Sequence, residues 1–128
     1  MSDAFGPGIV AELLIDTDVF VDHIRGARSV SPETRGWYSV ITRCELFAGN
    51  ERDEPAVQAL LATHSEIGLE REIAERAGRL RRAAGLSTPD AVIAATALER
   101  GLVLVTRNRR DFERVPGLLL RDPARLTE

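Results

Sequence analysis

The sequence predicts an α/β fold: a three-layer sandwich with a mainly parallel central sheet flanked by helices. Three observations carry this. Short apolar runs alternate along the chain with helical stretches, as in βαβ units. Residues 102–105 are an unbroken run of leucine and valine, which suits a strand buried on both faces of a parallel sheet. The stretch before that run has the start and stop signals of the crossover helix that a parallel strand requires.

Taken in order, residues 1–8 (MSDAFGPG) are small, polar and interrupted by Gly and Pro. They read as a flexible leader before a single domain over residues 9–128. Residues 9–15 are the first expected strand, ending on Leu13, Leu14 and Ile15, with Asp16 at its C-terminal end. Val19, Phe20 and Ile24 recur at helical spacing, so residues 17–25 are expected to be helical. A polar connection over 26–36, containing Ser31-Pro32, leads to a second strand over 37–41. Thr42 is then a candidate helix cap with Glu45 three residues on, a capping-box spacing. Residues 51–55 read as a charged break. A helix over 56–62 and a short strand over 67–69 follow.

Residues 70–84 form an amphipathic pattern with Ile73, Ala77, Leu80 and Ala84 on one face. Thr88 is a candidate N-cap and Pro89 suits the first helical position, which places Asp90 in the first turn. From Ala91 to Leu98 every residue but Thr96 is apolar, so this helix should be covered on more than one side. Gly101 ends it. The strand over 102–105 opens into a polar loop carrying Asn108 and Asp111. Pro116-Gly117 makes a turn before a last short strand over 118–120. Strands ending at Asp16 and Thr106 should be parallel neighbours.

With 128 residues, 44% hydrophobic and 29% charged, the chain suits one ordinary globular domain. It has no long apolar run, hence no expected membrane span, and no signal-type N-terminus, so the cytoplasm is the expected location. The single cysteine, Cys44, excludes an internal disulfide and a Cys-rich zinc site, and is expected to be a buried packing residue. A net charge of −3 gives no general attraction to nucleic acid. All 17 basic residues are arginine.

Asp16, Glu45, Asp90 and the Asn108/Asp111 pair each place an acid or amide at a strand end or helix start. In a parallel sheet these ends share one edge, where open α/β sheets bind ligands. Carboxylates gathered there repel one another unless a cation offsets them. Oxygen donors without paired His or Cys suit Mg²⁺, with Mn²⁺ as the other candidate. Such a cation lowers the pKa of water and stabilises charge on phosphate oxygens, as in metal-assisted phosphodiester hydrolysis. Each residue also has a local reading. Asp90 can serve the helix start, Glu45 the capping box, and Asn108 and Asp111 the loop. Asp16 has no such alternative in turn chemistry. Thr106 can orient a carboxylate or simply end the strand. Arg107, Arg109 and Arg110 can grip phosphates or form a solvated run. Arg43 is a candidate contact for RNA or a partner protein. His23 and His64 receive no catalytic role.

Three blocks, LLIDTDVFVD, SVITRCELFAG and TPDAVIAATALERGLVLVTRNRRDF, resemble the signature blocks of the PIN domain, in particular the toxin ribonucleases of VapBC-type toxin–antitoxin systems. The resemblance spans roughly residues 9–120. It implies a Mg²⁺-dependent endoribonuclease acting on structured RNA, tRNA or rRNA. Asp16, Glu45 and Asp90 take the places of its acidic triad. Asn108 falls where the family often has Asp, and Asp111 is the alternative fourth ligand. Asp18 stands where the family usually has Asn or Ser. The resemblance further implies a homodimer and a cognate VapB-type antitoxin whose tail lies across the acidic site.

Rival readings remain open at this point. Asp16-Thr17-Asp18 after an apolar strand mimics the nucleophile motif of haloacid-dehalogenase-like phosphatases, with Asp16 attacking phosphorus and Thr106 as a second motif. That family, and response-regulator receivers, usually use a later lysine, which this chain lacks. A PIN nuclease working in RNA processing without an antitoxin, and a PIN domain used only for binding, are the others.

Overall fold

The computed structural model describes residues 12–27 and 36–124. The expected leader, the start of the first expected strand and Ser31-Pro32 lie outside the described residues. The elements are β1 (Leu13–Ile15), α1 (Thr17–Ile24), β2 (Trp37–Ser39), α2 (Val40–Phe47), a 3-10 turn (Glu51–Asp53) and α3 (Glu54–Leu61). They continue with β3 (Ser65–Ile67), α4 (Arg71–Ala84), α5 (Thr88–Arg100), β4 (Val103–Val105), α6 (Arg109–Phe112) and β5 (Leu120–Arg121).

The five strands among the described residues form one parallel sheet in the order β3-β2-β1-β4-β5. β1 lies at its centre and pairs with β4 in the register Leu13 to Val103, Leu14 to Leu104 and Ile15 to Val105. Side chains alternate across a strand, so these residues divide between two cores. Leu14 and Leu104 pack with Ile73 and Ala77 of α4, the apolar run of α5, and Phe112. Leu13, Ile15, Val103 and Val105 pack on the other face with Val19 and Phe20 of α1, Leu46 of α2, and Val57 and Leu61 of α3. The result is the expected three-layer sandwich.

The run Ala91–Ala97 in α5 is buried all round, between the sheet and α4. Thr96, its one polar member, returns its hydroxyl to the Val92 carbonyl at 2.7 Å, so no donor is stranded in the core. Gly101 closes the helix at φ 65°, in the left-handed region that glycine enters without strain. Gly36 precedes β2 where the chain runs against β1. A Cβ there would lie 2.8 Å from the Leu13 carbonyl oxygen, and backbone cannot swing aside as a side-chain tip can. Gly36→Ala is therefore expected to destabilise the domain by about 1–3 kcal/mol, read as a lower urea midpoint at unchanged slope.

Several boundaries differ from expectation for local reasons. Ser39, not Thr42, caps α2, its hydroxyl accepting from the Ile41 N–H at 3.1 Å. The second strand accordingly stops at Ser39 and turns straight into the helix. Ser87, not Thr88, caps α5, accepting from the Asp90 N–H at 3.3 Å. Part of the charged break forms the 3-10 turn, and the rest opens α3. The third strand lies two residues earlier than expected and leaves Leu69 exposed. The loop after β4 contains the single turn α6, and the last strand begins only at Leu120. Cys44 is exposed, so the packing role expected of it is corrected: it sits on the outer side of α2.

Candidate active site

The strand order reverses about β1. The chain steps from β1 to β2 and β3 on one side, then returns to β4 and β5 on the other. The crevice beyond the C-terminal ends of β1 and β4 is thus the topological switch point, where parallel sheets take ligands. A cleft of about 290 Å³ opens there. It is lined by Asp16, Thr17, Asp18, Val21, Glu45, Asp90, Arg107 and Asn108.

Asp16 follows directly from β1 and is 5% exposed. Its Oδ1 accepts from the Thr17 N–H at 2.8 Å and its Oδ2 from the Thr106 hydroxyl at 2.7 Å. The Oδ1 contact makes Asp16 the N-cap of α1, a local role the sequence reading had not allowed it. The Oδ2 contact ties β1 to the end of β4. Thr106 is fully buried, and its Oγ1 also accepts from the Asn108 N–H at 2.9 Å. A single hydroxyl thereby sets both the first acid and the start of the loop after β4. This favours the orienting reading of Thr106.

Glu45 arrives from the middle of α2. It is no capping-box partner, because the helix begins five residues earlier, at Val40. Its Oε1 instead accepts from the Thr17 hydroxyl at 2.6 Å, and Thr17 Oγ1 lies 2.9 Å from Thr42 Oγ1. Thr17 and Thr42 join this network, a role that sequence reasoning missed. The signal was a hydroxyl directly after Asp16 and a second at a helix position where an apolar residue would otherwise be buried. Asp90 sits in the first turn of α5. Asn108 lines the cleft, and its Nδ2 donates to Asp111 Oδ2 at 3.0 Å. Asp111 Oδ1 lies 3.8 Å from Arg114 Nη2, so that carboxylate stands behind Asn108, already partnered. Arg43 points elsewhere, to Glu66 and the Tyr38 hydroxyl. Arg109 stands 4.0 Å from Glu113.

The electrostatics are those of negative charge gathered in a partly dry place. The Asp16 carboxyl is pushed up to about 7, first by burial and then by the charge of Asp18, with Asp90 adding to it. Asp18 is raised mainly by burial, against the opposing pull of Arg107. Asp90 is raised by burial and by the charges of Asp111 and Glu45. Asp18 Oδ2 accepts from the Arg107 N–H at 3.2 Å, whereas its Oδ1 is buried with no hydrogen-bond partner among the described residues.

The PIN domain family model matches residues 13–118, from the first residue of β1 to just short of β5. The chain belongs to the PIN domain family. It is 33% identical over 112 residues to the tRNA(fMet)-specific endonuclease VapC of Salmonella typhimurium, covering 79% of this chain and 84% of that protein. It is 33% identical over 119 residues to ribonuclease VapC19 of Mycobacterium tuberculosis, covering 82% of this chain and 95% of that one. The DNA-bound VapBC structure from Salmonella typhimurium superposes with a TM-score of 0.79 at 27% identity, covering 89% of this chain and 99% of its counterpart. With the PIN domain in place, the phosphatase reading of Asp16 as a nucleophile falls.

The residues of this PIN domain fit a divalent cation. The donors facing the cleft are oxygens, the choice of hard cations. Three carboxyls are raised, first by burial and further by neighbouring carboxylates, and Asp18 keeps a buried oxygen without a hydrogen-bond partner among the described residues. Among the described residues no three His, Cys, Asp or Glu side chains form a ready-made metal cage. Mg²⁺ does not need one, since it binds through one or two carboxylates and keeps several waters.

Proposed function

We propose that this PIN domain is a divalent-cation-dependent endoribonuclease, the toxin of a type II toxin–antitoxin pair, that cuts structured RNA of the tRNA or rRNA class. The observation that carries the reading is the joining of Asp16 to Thr106 and of Glu45 to Thr17 at the switch point, with Asp90 on the same cleft. Asp16, Glu45 and Asp90 would hold Mg²⁺, or Mn²⁺ in its place, with Asn108 or Asp111 as the fourth ligand. Asn108 is the better candidate, because it lines the cleft while Asp111 is occupied by Asn108 and Arg114. Bound there, the cation would supply an acidified water and charge stabilisation on the phosphate.

The chain's own part is orientation. Thr106 and the Thr17 N–H fix both oxygens of Asp16, and the Thr17 hydroxyl fixes one oxygen of Glu45. No histidine or lysine lines the cleft as a general base. The ribonuclease names of the relatives support the reaction, and the VapBC neighbour supports a VapB-type antitoxin. A second groove, of mixed lining that includes Val21, Ile24, Arg25, Glu45 and Asp53, would offer that partner a seat. A homodimer accompanies this reading.

Incubation with total bacterial RNA, with Mg²⁺ and then with excess EDTA, is the test. Discrete new RNA ends are expected with Mg²⁺ and none with EDTA. Ends that persist in EDTA would end the metal-dependent reading. Co-purification with the product of the neighbouring gene separates a toxin from an RNA-processing nuclease.

A further inference from the structure

We propose that Arg107 is the residue through which the cleft grips the RNA backbone, an inference that rests on the ribonuclease reading above. The cleft presents Asp16, Asp18, Glu45 and Asp90 to a polyanion, and these repel it. Arg107 is the one cationic side chain among the described residues that line this cleft. Its place is set by the frame that sets the acids. It follows the buried Thr106 at the end of β4, and its N–H donates to Asp18 Oδ2 at 3.2 Å.

Its side chain is half exposed, at 51%, and its Nε lies 2.7 Å from Oδ2 of Asp22, one helical turn beyond Asp18 on α1. Asp18 and Asp22 thus hold the backbone and the head of the same residue. A guanidinium carries five donors, so a carboxylate met at Nε does not exhaust it. Asp22 is only 15% exposed and can keep its contact at Nε while the exposed end of the guanidinium offers a phosphate a two-pronged partner. Arg109 and Arg110 belong to the same run but do not line the cleft. The run therefore resolves into one cation aimed at the substrate path and two outside it.

Binding is measured with labelled bulk tRNA in Ca²⁺ in place of Mg²⁺, under conditions where no cleavage is detected, across a series of salt concentrations. Arg107→Ala is expected to weaken binding roughly tenfold and to reduce the slope of log affinity against log salt by about one, the signature of one lost phosphate contact. Arg107→Lys keeps the charge and should keep the slope, with a smaller loss of affinity. Arg82→Ala removes the same charge from the exposed side of α4 and should change neither. Arg107→Gln is the second variant should the alanine lower the urea midpoint. A slope unchanged in both neutral variants, beside a wild type that binds and cuts RNA, overturns the Arg107 assignment alone. A wild type that neither binds nor cuts RNA overturns the ribonuclease reading and this inference with it.

Discussion

Asp16→Asn is expected to lower RNA cleavage on the order of a thousandfold or more while leaving the domain folded. Asparagine keeps the size of the side chain and an oxygen that can accept from the Thr17 N–H, so the cap of α1 survives. The Thr106 hydroxyl can turn to accept from the new amide. What disappears is the charge at the most enclosed point of the cleft. A loss of that size corresponds to about 4 kcal/mol of barrier, reasonable for removing one ligand charge from a catalytic cation site. Initial rates on the mapped RNA, with circular dichroism as the check on folding, measure it. An Asp16→Asn protein as active as wild type would remove Asp16 from the chemistry.

The same substitution should do the opposite to stability. Burial and neighbouring charge push the Asp16 carboxyl up to about 7 in the folded chain, against the ordinary aspartate value of 3.8. Between those values the native state holds a proton that the unfolded state has released. Stability in EDTA is therefore expected to fall as pH rises through this window and to level off above it. Integrated over the window, Asp16 alone contributes on the order of 4 kcal/mol, and Asp18 and Asp90 act in the same direction. Surface carboxylates have their own pH dependence. The useful quantity is thus the difference between wild type and Asp16→Asn in urea midpoints at pH 4.5 and pH 8. Asp16→Asn should be the more stable protein at pH 8 without metal, and Mg²⁺ should return much of the difference to wild type, because it binds only the folded cleft. A wild type that outlasts Asp16→Asn at pH 8 in EDTA would contradict the burial and repulsion assigned to Asp16.

The fold was legible because its strands are apolar in a way that only burial on two faces explains. Leu13–Ile15 and Val103–Val105 declared themselves by composition, and their parallel pairing followed from the helix between them. Asp16 and Asp90 were legible as a strand end and a helix start, whereas Glu45, read at a helix start, stands in the middle of α2. Helix starts themselves were read one to three residues late, at Thr42 and Thr88. Ser39 and Ser87 compete with those threonines for the same capping role, and no rule of local sequence decides between neighbouring hydroxyls. The hydroxyl network was invisible for a different reason. Thr17 meets Glu45 across 28 residues, and Thr106 meets Asp16 across 90. Such pairings exist only after the sheet has formed. Cys44 misled because a small apolar side chain on a helix carries no mark of which way it faces.

The contact between Asp16 and Thr106 also dates the birth of the site. Synthesis runs from the N-terminus, and a ribosome that has completed α5 has already made Asp16, Glu45 and Asp90. The strand that belongs beside β1, and the hydroxyl that holds Asp16, are still to come. Closing so long a loop is a late and slow event in folding. On the proposed function the nascent chain is thus expected to be inactive in transit through most of its length, and a product cut short before β4 carries all three acids without the hydroxyl that holds Asp16.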